Sequence, residues 1–297
     1  MALADRLPVS LISVDSAQVY RGMDIGSAKP DAATLARYPH ALIDLRDPEQ
    51  TYSAADFASD AEAAMRQAWS AGLLPLLVGG TMMYFRSLLY GLDRLPAADL
   101  AFRRALTERA EQAGWMAIHQ ELARIDPLSA ARIRPSDAQR IQRALEIHQL
   151  TGQVPSAQRQ VKPTPRFASL RLVVTPSDRH ILHERIADRL DGMITAGFLD
   201  EVRCLRERPG LDPATASMKS VGYRQAWQYL DGAVCEREFR QRARAATRQL
   251  AKRQLTALRQ FTDSLWYDPA RRRTIDWIFR QVEGFFDRSQ DSPPNDK

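Results

Sequence analysis

Residues 11–30 read LISVDSAQVYRGMDIGSAKP, and this stretch limits the fold more than any other. The apolar run Leu11–Val14 ends on Asp15, and a polar, glycine-punctuated loop runs from Ser16 to Pro30. A short apolar run without alternation is the pattern of a strand covered on both faces, the kind that parallel sheets use. Such sheets keep their ligands beyond the carboxyl ends of the strands, and Asp15 stands at such an end. On local pattern alone, the same carboxylate could equally cap a turn or a helix.

Further strand candidates follow, so that the set is Ser10–Asp15, Ala41–Leu45, Leu73–Val78 and Leu170–Thr175. Helical periodicity intervenes at Ala54–Ala71, opened by Ser53 and Asp56 and closed by Gly72. Strand–helix–strand alternation predicts an α/β fold with a parallel, helix-covered sheet. After Leu95-Pro96 the strand signal stops for about seventy residues. Segments 99–113, 115–125 and 136–151 read as helices, separated in part by Asp126-Pro127 and Arg134-Pro135, because proline disfavours helix in the residue before it. The expected division is a core of 1–96, 167–176 and 215–288 with a helical insertion at 97–166, which 177–214 is a candidate to join. Within that candidate, Ile181–Arg206 is a single helical pattern with Gly197 near its middle. Segment 153–166 is polar with three prolines and reads as a loop, and residues 289–297 read as a disordered tail.

Hydrophobic residues make up 44% of the 297 and charged residues 26%, which is ordinary for a globular protein. No run reaches the ~18 apolar residues of a membrane span, and the N-terminus lacks the apolar stretch of a signal peptide. The two cysteines, Cys204 and Cys235, form no CxxC, and no zinc-ligand spacing accompanies them. A reduced, cytoplasmic protein without a structural metal is expected. The net charge is +6, yet residues 219–259 alone carry ten Lys and Arg against three Asp and Glu. Charge concentrated in this way suits a polyanionic partner, although a solvated helix face gives the same count. Within the segment, 236–261 reads as a helix. Phe239, Ala243, Ala246, Leu250 and Leu258 form an apolar stripe that Gln254 interrupts, and Arg240, Arg244, Arg248 and Lys252 recur every four residues on another face.

Three more segments stand out: LLVGGTMMYF at 76–85, DAQRIQRALEI at 137–147 and SVGYRQAW at 220–227. Together with 11–30, they resemble the bacterial tRNA dimethylallyltransferase (tRNA isopentenyltransferase) family, in order and along most of the chain. The resemblance implies a parallel sheet of the P-loop nucleoside-triphosphate-hydrolase/kinase type with a helical insertion. It also implies transfer of a dimethylallyl group from dimethylallyl diphosphate to the N6 amine of the adenosine beside the anticodon, with Mg²⁺ as cofactor and the tRNA anticodon stem-loop as partner. The enzyme would be a cytoplasmic monomer without membrane association. By this resemblance Asp15 is the general base and Thr81 lies on the reaction path, while Ser16, Ala17 and Gln18 touch the target nucleotide. The tRNA-contacting positions would be Arg103 (with Arg104 as its rival), Gln139, Arg140, Ile141, Gln142, Arg143, Val221, Gly222, Tyr223, Arg224, Lys252, Arg253 and Arg259. Of these, Tyr223 suits packing better than base stacking. Lys219 and Arg224 are candidates for the diphosphate.

The chemistry fits those residue types. An exocyclic adenine amine is a weak nucleophile because its lone pair is delocalised into the ring, and a carboxylate that accepts its proton raises its reactivity. Glycines at a strand end, as in Gly79-Gly80-Thr81, allow a ligand close to the backbone, although a tight turn uses the same residues. Gln and Arg on a helix can read base edges and hold phosphates, and they also suit an ordinary exposed helix.

One part of the family pattern, the phosphate loop G-x-T-x-x-G-K-[ST], does not occur in these 297 residues. Its backbone N–H groups and lysine would cradle the diphosphate. The resemblance sets it before Asp15, so the chain is expected to open inside a βαβ unit and to leave an edge or central slot of the sheet without its strand. Two other readings stay open: a nucleotide kinase or adenylate prenyltransferase relative, and a non-catalytic tRNA-binding paralogue.

Overall fold

The computed structural model describes residues 1–91, 98–158 and 164–290. In chain order the elements are β1 (Val9–Val14), α1 (Ala32–Arg37), β2 (His40–Ala41), α2 (Ala54–Ser70), β3 (Leu74–Gly79), α3 (Met82–Tyr90), α4 (Leu100–Ile125), α5 (Pro127–Arg132), α6 (Ala138–Thr151), β4 (Leu172–Val174), α7 (Arg179–Thr195), α8 (Phe198–Arg206), α9 (Tyr223–Leu230), α10 (Glu236–Leu258), β5 (Leu265–Tyr267) and α11 (Thr274–Gln290). The chain divides into two compact units, Met1–Leu89 with Phe167–Lys297, and Tyr90–Arg166. Segment 177–214 lies in the first. No helix among the described residues is long and apolar enough to cross a membrane.

In the first unit β1 is the middle strand of a parallel sheet, order β2-β1-β3, with β1 and β3 in register from Val9↔Leu74 to Val14↔Gly79. A second parallel pair joins β4 to β5. Helix α2 begins where Ser53 and Asp56 form a reciprocal capping box, and its residues Phe57, Ala61, Met65 and Ala68 recur on one buried face. Phe57 stacks on Tyr84 with ring centres 4.4 Å apart. Burying a side chain such as Phe57 or Met65 contributes about 1.5–3 kcal/mol each, and the same core takes in Ile12, Val14, Met23, Phe198, Met218 and Phe239. Among the described residues β3 bonds only to β1 and β4 only to β5, and Val78 and Val174 are about half exposed.

Two expectations need correction here. The predicted strand Ala41–Leu45 is strand only at His40–Ala41. Beyond it Leu42 and Asp44 take positive φ, 66° and 55°, and the turned chain brings the Asp44 carboxylate to Lys29. The single helix predicted at Ile181–Arg206 is two helices, because Gly197 takes φ 98° and starts α8 on a new axis that buries Phe198, Val202 and Leu205.

The second unit is helical. Gly114 (φ 80°, ψ 148°) breaks α4 where two helices were expected. Asp126 caps α5, whose first residue is Pro127, and Asp137 caps α6. Leu106, Ile118, Leu122, Ile141 and Leu145 form its core. In the predicted 153–166 loop, Pro155–Gln158 form a short 3-10 turn, and residues 159–163 lie outside the described residues. The same holds for 92–97 and for 291–297 of the predicted disordered tail, whose first two residues instead finish α11.

Candidate active site

The register Val14↔Gly79 makes β1 and β3 end together, so Asp15 and Gly80-Thr81 leave the sheet side by side. A side chain at Gly79 would overlap the Val14 carbonyl, which is why glycine stands there. Thr81 turns back across the sheet end. Its N–H donates to Val14 O (3.1 Å), and its Oγ1 accepts the Ser16 N–H (3.0 Å) and lies 3.4 Å from Ser16 Oγ. Asp15 Oδ1 accepts the N–H groups of Ala17 (2.8 Å) and Gln18 (3.3 Å). Asp15 thus does cap its own turn, the bland alternative, but with one oxygen only. Among the described residues, Oδ2 accepts no hydrogen bond. The half-buried carboxylate is oriented by one oxygen and keeps the other for a proton. A depression of about 360 Å³, lined by Asp5, Val9, Leu11, Arg37 and Tyr38, lies at the opposite end of β1.

The loop after Asp15 is held from three directions. Gln18 Oε1 accepts from Ser13 Oγ (3.0 Å), and its Nε2 faces the carbonyls of Ser27 (3.4 Å) and Ala28 (3.3 Å). Gln18 therefore braces the loop through both ends of its amide, while its side chain stays half-buried beside Ser16 and Ala17. Ser16 is exposed and Ala17 half-buried, so both remain at the surface of the turn. Lys29 is buried, and its Nζ donates to Tyr20 O (2.8 Å), Asp24 Oδ1 (2.5 Å) and Asp44 Oδ1 (2.6 Å). All three of its protons are used, as a buried ammonium requires.

From α8, Glu201 accepts the consecutive N–H groups of Asp24 (2.9 Å), Ile25 (2.6 Å) and Gly26 (3.1 Å), and the Tyr223 hydroxyl (2.7 Å). Three successive backbone donors make a concavity suited to an anion, and a carboxylate of the same chain fills it. A Cβ at Gly26 would overlap the rings of Phe198 and Tyr223. Burial first, then the Glu201 charge and hydrogen bond, raises the Tyr223 phenol far above its usual range. Tyr223 is wholly buried, so it packs and positions and does not meet RNA. Glu201 is thereby the link between the 11–30 and 220–227 segments. Lys29 and Glu201 were missed in the sequence. Lys29 offers the weak signal of a lysine inside a loop otherwise rich in Gly, Ser and Asp, and Glu201 offers none.

Lys219 and Arg224 are exposed on either side of Val221 and Gly222, which are half-buried at the start of α9. On α10, Phe239 and Ala243 are buried. Arg240 and Arg244 both bond Asp191 of α7, at 2.8 and 2.7 Å, so two members of the every-fourth-residue basic row are neutralised within the protein. Arg248, Lys252, Arg253 and Arg259 are exposed and form no ion pair among the described residues. Gln254 donates to Gly80 O at 2.8 Å.

The second unit gathers its own candidates around one carboxylate. Glu146 is fully buried and takes Arg103 by both oxygens (2.8 Å each), the Asp99 N–H (2.8 Å) and Arg143. Burial alone would raise the Glu146 pKa, but the hydrogen bonds from Arg103, Arg143 and Asp99 outweigh it and the net shift is downward. Arg103 and Arg143 are therefore committed to an internal charge cluster. Gln142 Nε2 donates to Arg103 O (2.9 Å) and Thr107 Oγ1 (3.1 Å), and Ile141 is wholly buried. Ile141 therefore packs and does not reach RNA, which corrects its expected contact, whereas Arg103, Gln142 and Arg143 help assemble the unit and stay partly exposed. Gln139, Arg140 and Arg104 are exposed.

Among the described residues, no group of three His, Cys, Asp or Glu is placed to hold a metal ion. The family description "IPP transferase" matches residues 18–261. The tRNA dimethylallyltransferase of Thiobacillus denitrificans is 55% identical over 90% of this chain and 86% of its own length, and that of Azoarcus sp. is 56% identical over 89% and 83%. The crystal structure of the full-length tRNA isopentenylpyrophosphate transferase from Bacillus halodurans aligns with TM-score 0.70 and 34% identity, over 98% of this chain and 92% of that one. With a sheet-edge carboxylate and threonine held as described, and with likeness of this extent, the chain belongs to the IPP transferase family, a family of prenyltransferases.

Proposed function

We propose that this protein transfers a dimethylallyl group from dimethylallyl diphosphate to the N6 amine of the adenosine beside the anticodon of tRNA. The observation that carries the reading is the pairing at one sheet edge of Asp15, with Oδ2 unbonded, and Thr81, fixed by Ser16. The amine nitrogen attacks the allylic carbon, the carbon–oxygen bond to diphosphate breaks, and the amine proton passes to Asp15 Oδ2. Thr81 Oγ1, which accepts the Ser16 N–H, keeps a hydroxyl proton to donate to the departing oxygen. The target base must leave its stack to reach Asp15, and a loop nucleotide does so at less cost than a paired one.

The exposed Lys219 and Arg224 support a role in holding the diphosphate or a tRNA phosphate. Ser16, Ala17, Val221, Gly222, Gln139, Arg140, Lys252, Arg253 and Arg259 remain the proposed RNA-facing positions. Mg²⁺ would accompany the diphosphate. Mg²⁺ bound with a diphosphate needs only one or two protein carboxylates, and no step above runs through the metal. We take the working form to be a cytoplasmic monomer. Its two cysteines, exposed and unpaired, suit a reducing compartment.

The test is transfer of labelled dimethylallyl to an anticodon stem-loop and to AMP by the full-length protein. Transfer to the RNA alone supports the reading. Transfer to AMP would identify a nucleotide-modifying relative instead, and RNA binding without transfer to either would identify a binding protein.

A further inference from the structure

Gln254 sits in the apolar stripe of α10, where a polar side chain lowers the stability of the packed face unless it has a partner. Its partner is the carbonyl of Gly80, 2.8 Å from Nε2. The approach is so close that a Cβ on Gly80 would overlap the same nitrogen. Gly80 is the residue before Thr81, and the peptide that carries the Gly80 carbonyl also carries the Thr81 N–H, which donates to Val14 O. One peptide plane is thus held on both sides, by β1 through its N–H and by α10 through its oxygen. The side chain that leaves this plane, Thr81 Oγ1, accepts from Ser16 beside Asp15. A second tie runs in parallel, from Arg86 Nη1 of α3 to Gln260 just beyond α10 (3.3 Å). Lys252 and Arg253, next to Gln254 in sequence, are exposed.

We propose that Gln254 is a positioning residue: its amide fixes the Gly80–Thr81 peptide, and so sets Thr81 Oγ1 against Asp15, from the helix whose outer face carries the free cations. This rests on the role given to Thr81 above. It assigns Gln254 to the sheet edge and not to RNA.

The test uses Gln254→Met, which keeps length and loses the donor, and Gln254→Asn, which keeps the donor one methylene short. Amide hydrogen exchange is followed at Ser16 and Thr81, tRNA affinity is measured, and single-turnover transfer is measured in the full-length protein. In Gln254→Met both amides should exchange about tenfold faster, transfer should slow about tenfold, and tRNA affinity should change less than twofold. Gln254→Asn should fall between. A rise in tRNA Kd with an unchanged single-turnover rate would make Gln254 an RNA contact and overturn the proposal. So would unchanged exchange at both amides, even if thermal stability falls. Thr81→Ala serves as the control for the underlying reading: if it leaves transfer intact, the role of Thr81 fails. If Thr81→Ala slows transfer and Gln254→Met and Gln254→Asn do not, only the positioning role fails. If Gln254→Met does not fold, the Asn variant alone decides.

Discussion

Tyr223 donates its hydroxyl to Glu201 at 2.7 Å, and the same carboxylate receives three consecutive backbone N–H groups from the loop that follows Asp15. Two segments far apart in sequence meet on that one side chain.

Glu201→Gln keeps the size of the group but removes the charge that matches four donors, and it turns one acceptor into a donor facing them. Hydrogen bonds to a charged group contribute about 1.5–3 kcal/mol. For a chain of this length the variant should melt roughly 4–8 °C lower. Amide exchange at Asp24, Ile25 and Gly26 should rise ahead of exchange in β1. Thermal denaturation with residue-resolved exchange checks both. Unchanged protection at 24–26 would show that the loop is held by Lys29 and Gln18 without Glu201.

The free cations of α10 should set the salt dependence of RNA binding. Each phosphate contact to single-stranded RNA adds about 0.7 to the slope of log K against log salt. Replacing Arg248, Lys252 and Arg253 together with Ala should lower that slope by about two. Replacing Arg240 and Arg244 should leave the slope nearly unchanged and lower the melting temperature, because both are bound to Asp191. Binding isotherms for an anticodon stem-loop over a salt series decide it. The reverse pattern would place the RNA on the other face.

Asp126 gives the helical unit an acid limit. Burial alone would raise its pKa, but hydrogen bonds from Ser129 and Ser156 outweigh this and bring it to about 2. A folded-state pKa below the unfolded value of roughly 3.9 stabilises the fold in full above that pH and loses the contribution as pH falls towards 2. The melting temperature should therefore drop between about pH 4 and pH 2, and Asp126→Asn should be less stable at neutral pH with a shallower acid dependence. Melting curves across pH 2–5 in both proteins check the sign. A wild type that loses nothing below pH 4 would contradict it.

The sequence made the sheet edge legible because its signals are local. An apolar run that ends on Asp15, and another that ends on Gly79-Gly80-Thr81, announce two strand ends, and parallel register then brings them together. What stayed hidden was the set of partners. That Arg103 and Arg143 share the buried carboxylate of Glu146, 43 residues beyond Arg103, is not written in the local pattern. Nor does the sequence show that Gln18 bonds within its own loop through both ends of its amide. The predicted strand at Ala41–Leu45 failed for the same reason: the pattern is apolar, but the backbone turns at Leu42 and Asp44, where Asp44 meets buried Lys29. Polar side chains are easy to place on an element from sequence and hard to assign to a partner, because the partner is set by tertiary packing.

The central claim is that Asp15 Oδ2 takes the proton from the adenosine amine. Asp15→Asn is the sharpest probe, since an amide oxygen still accepts from Ala17 and Gln18 and so keeps the turn. The measurement is single-turnover transfer of labelled dimethylallyl to an anticodon stem-loop by the full-length protein, with RNA affinity measured on the same samples. Loss of the base should slow transfer by roughly 10²–10⁴-fold, with RNA affinity changed by less than about twofold, because the proposed phosphate contacts are untouched. Transfer by Asp15→Asn at a rate near that of the wild type would contradict the account.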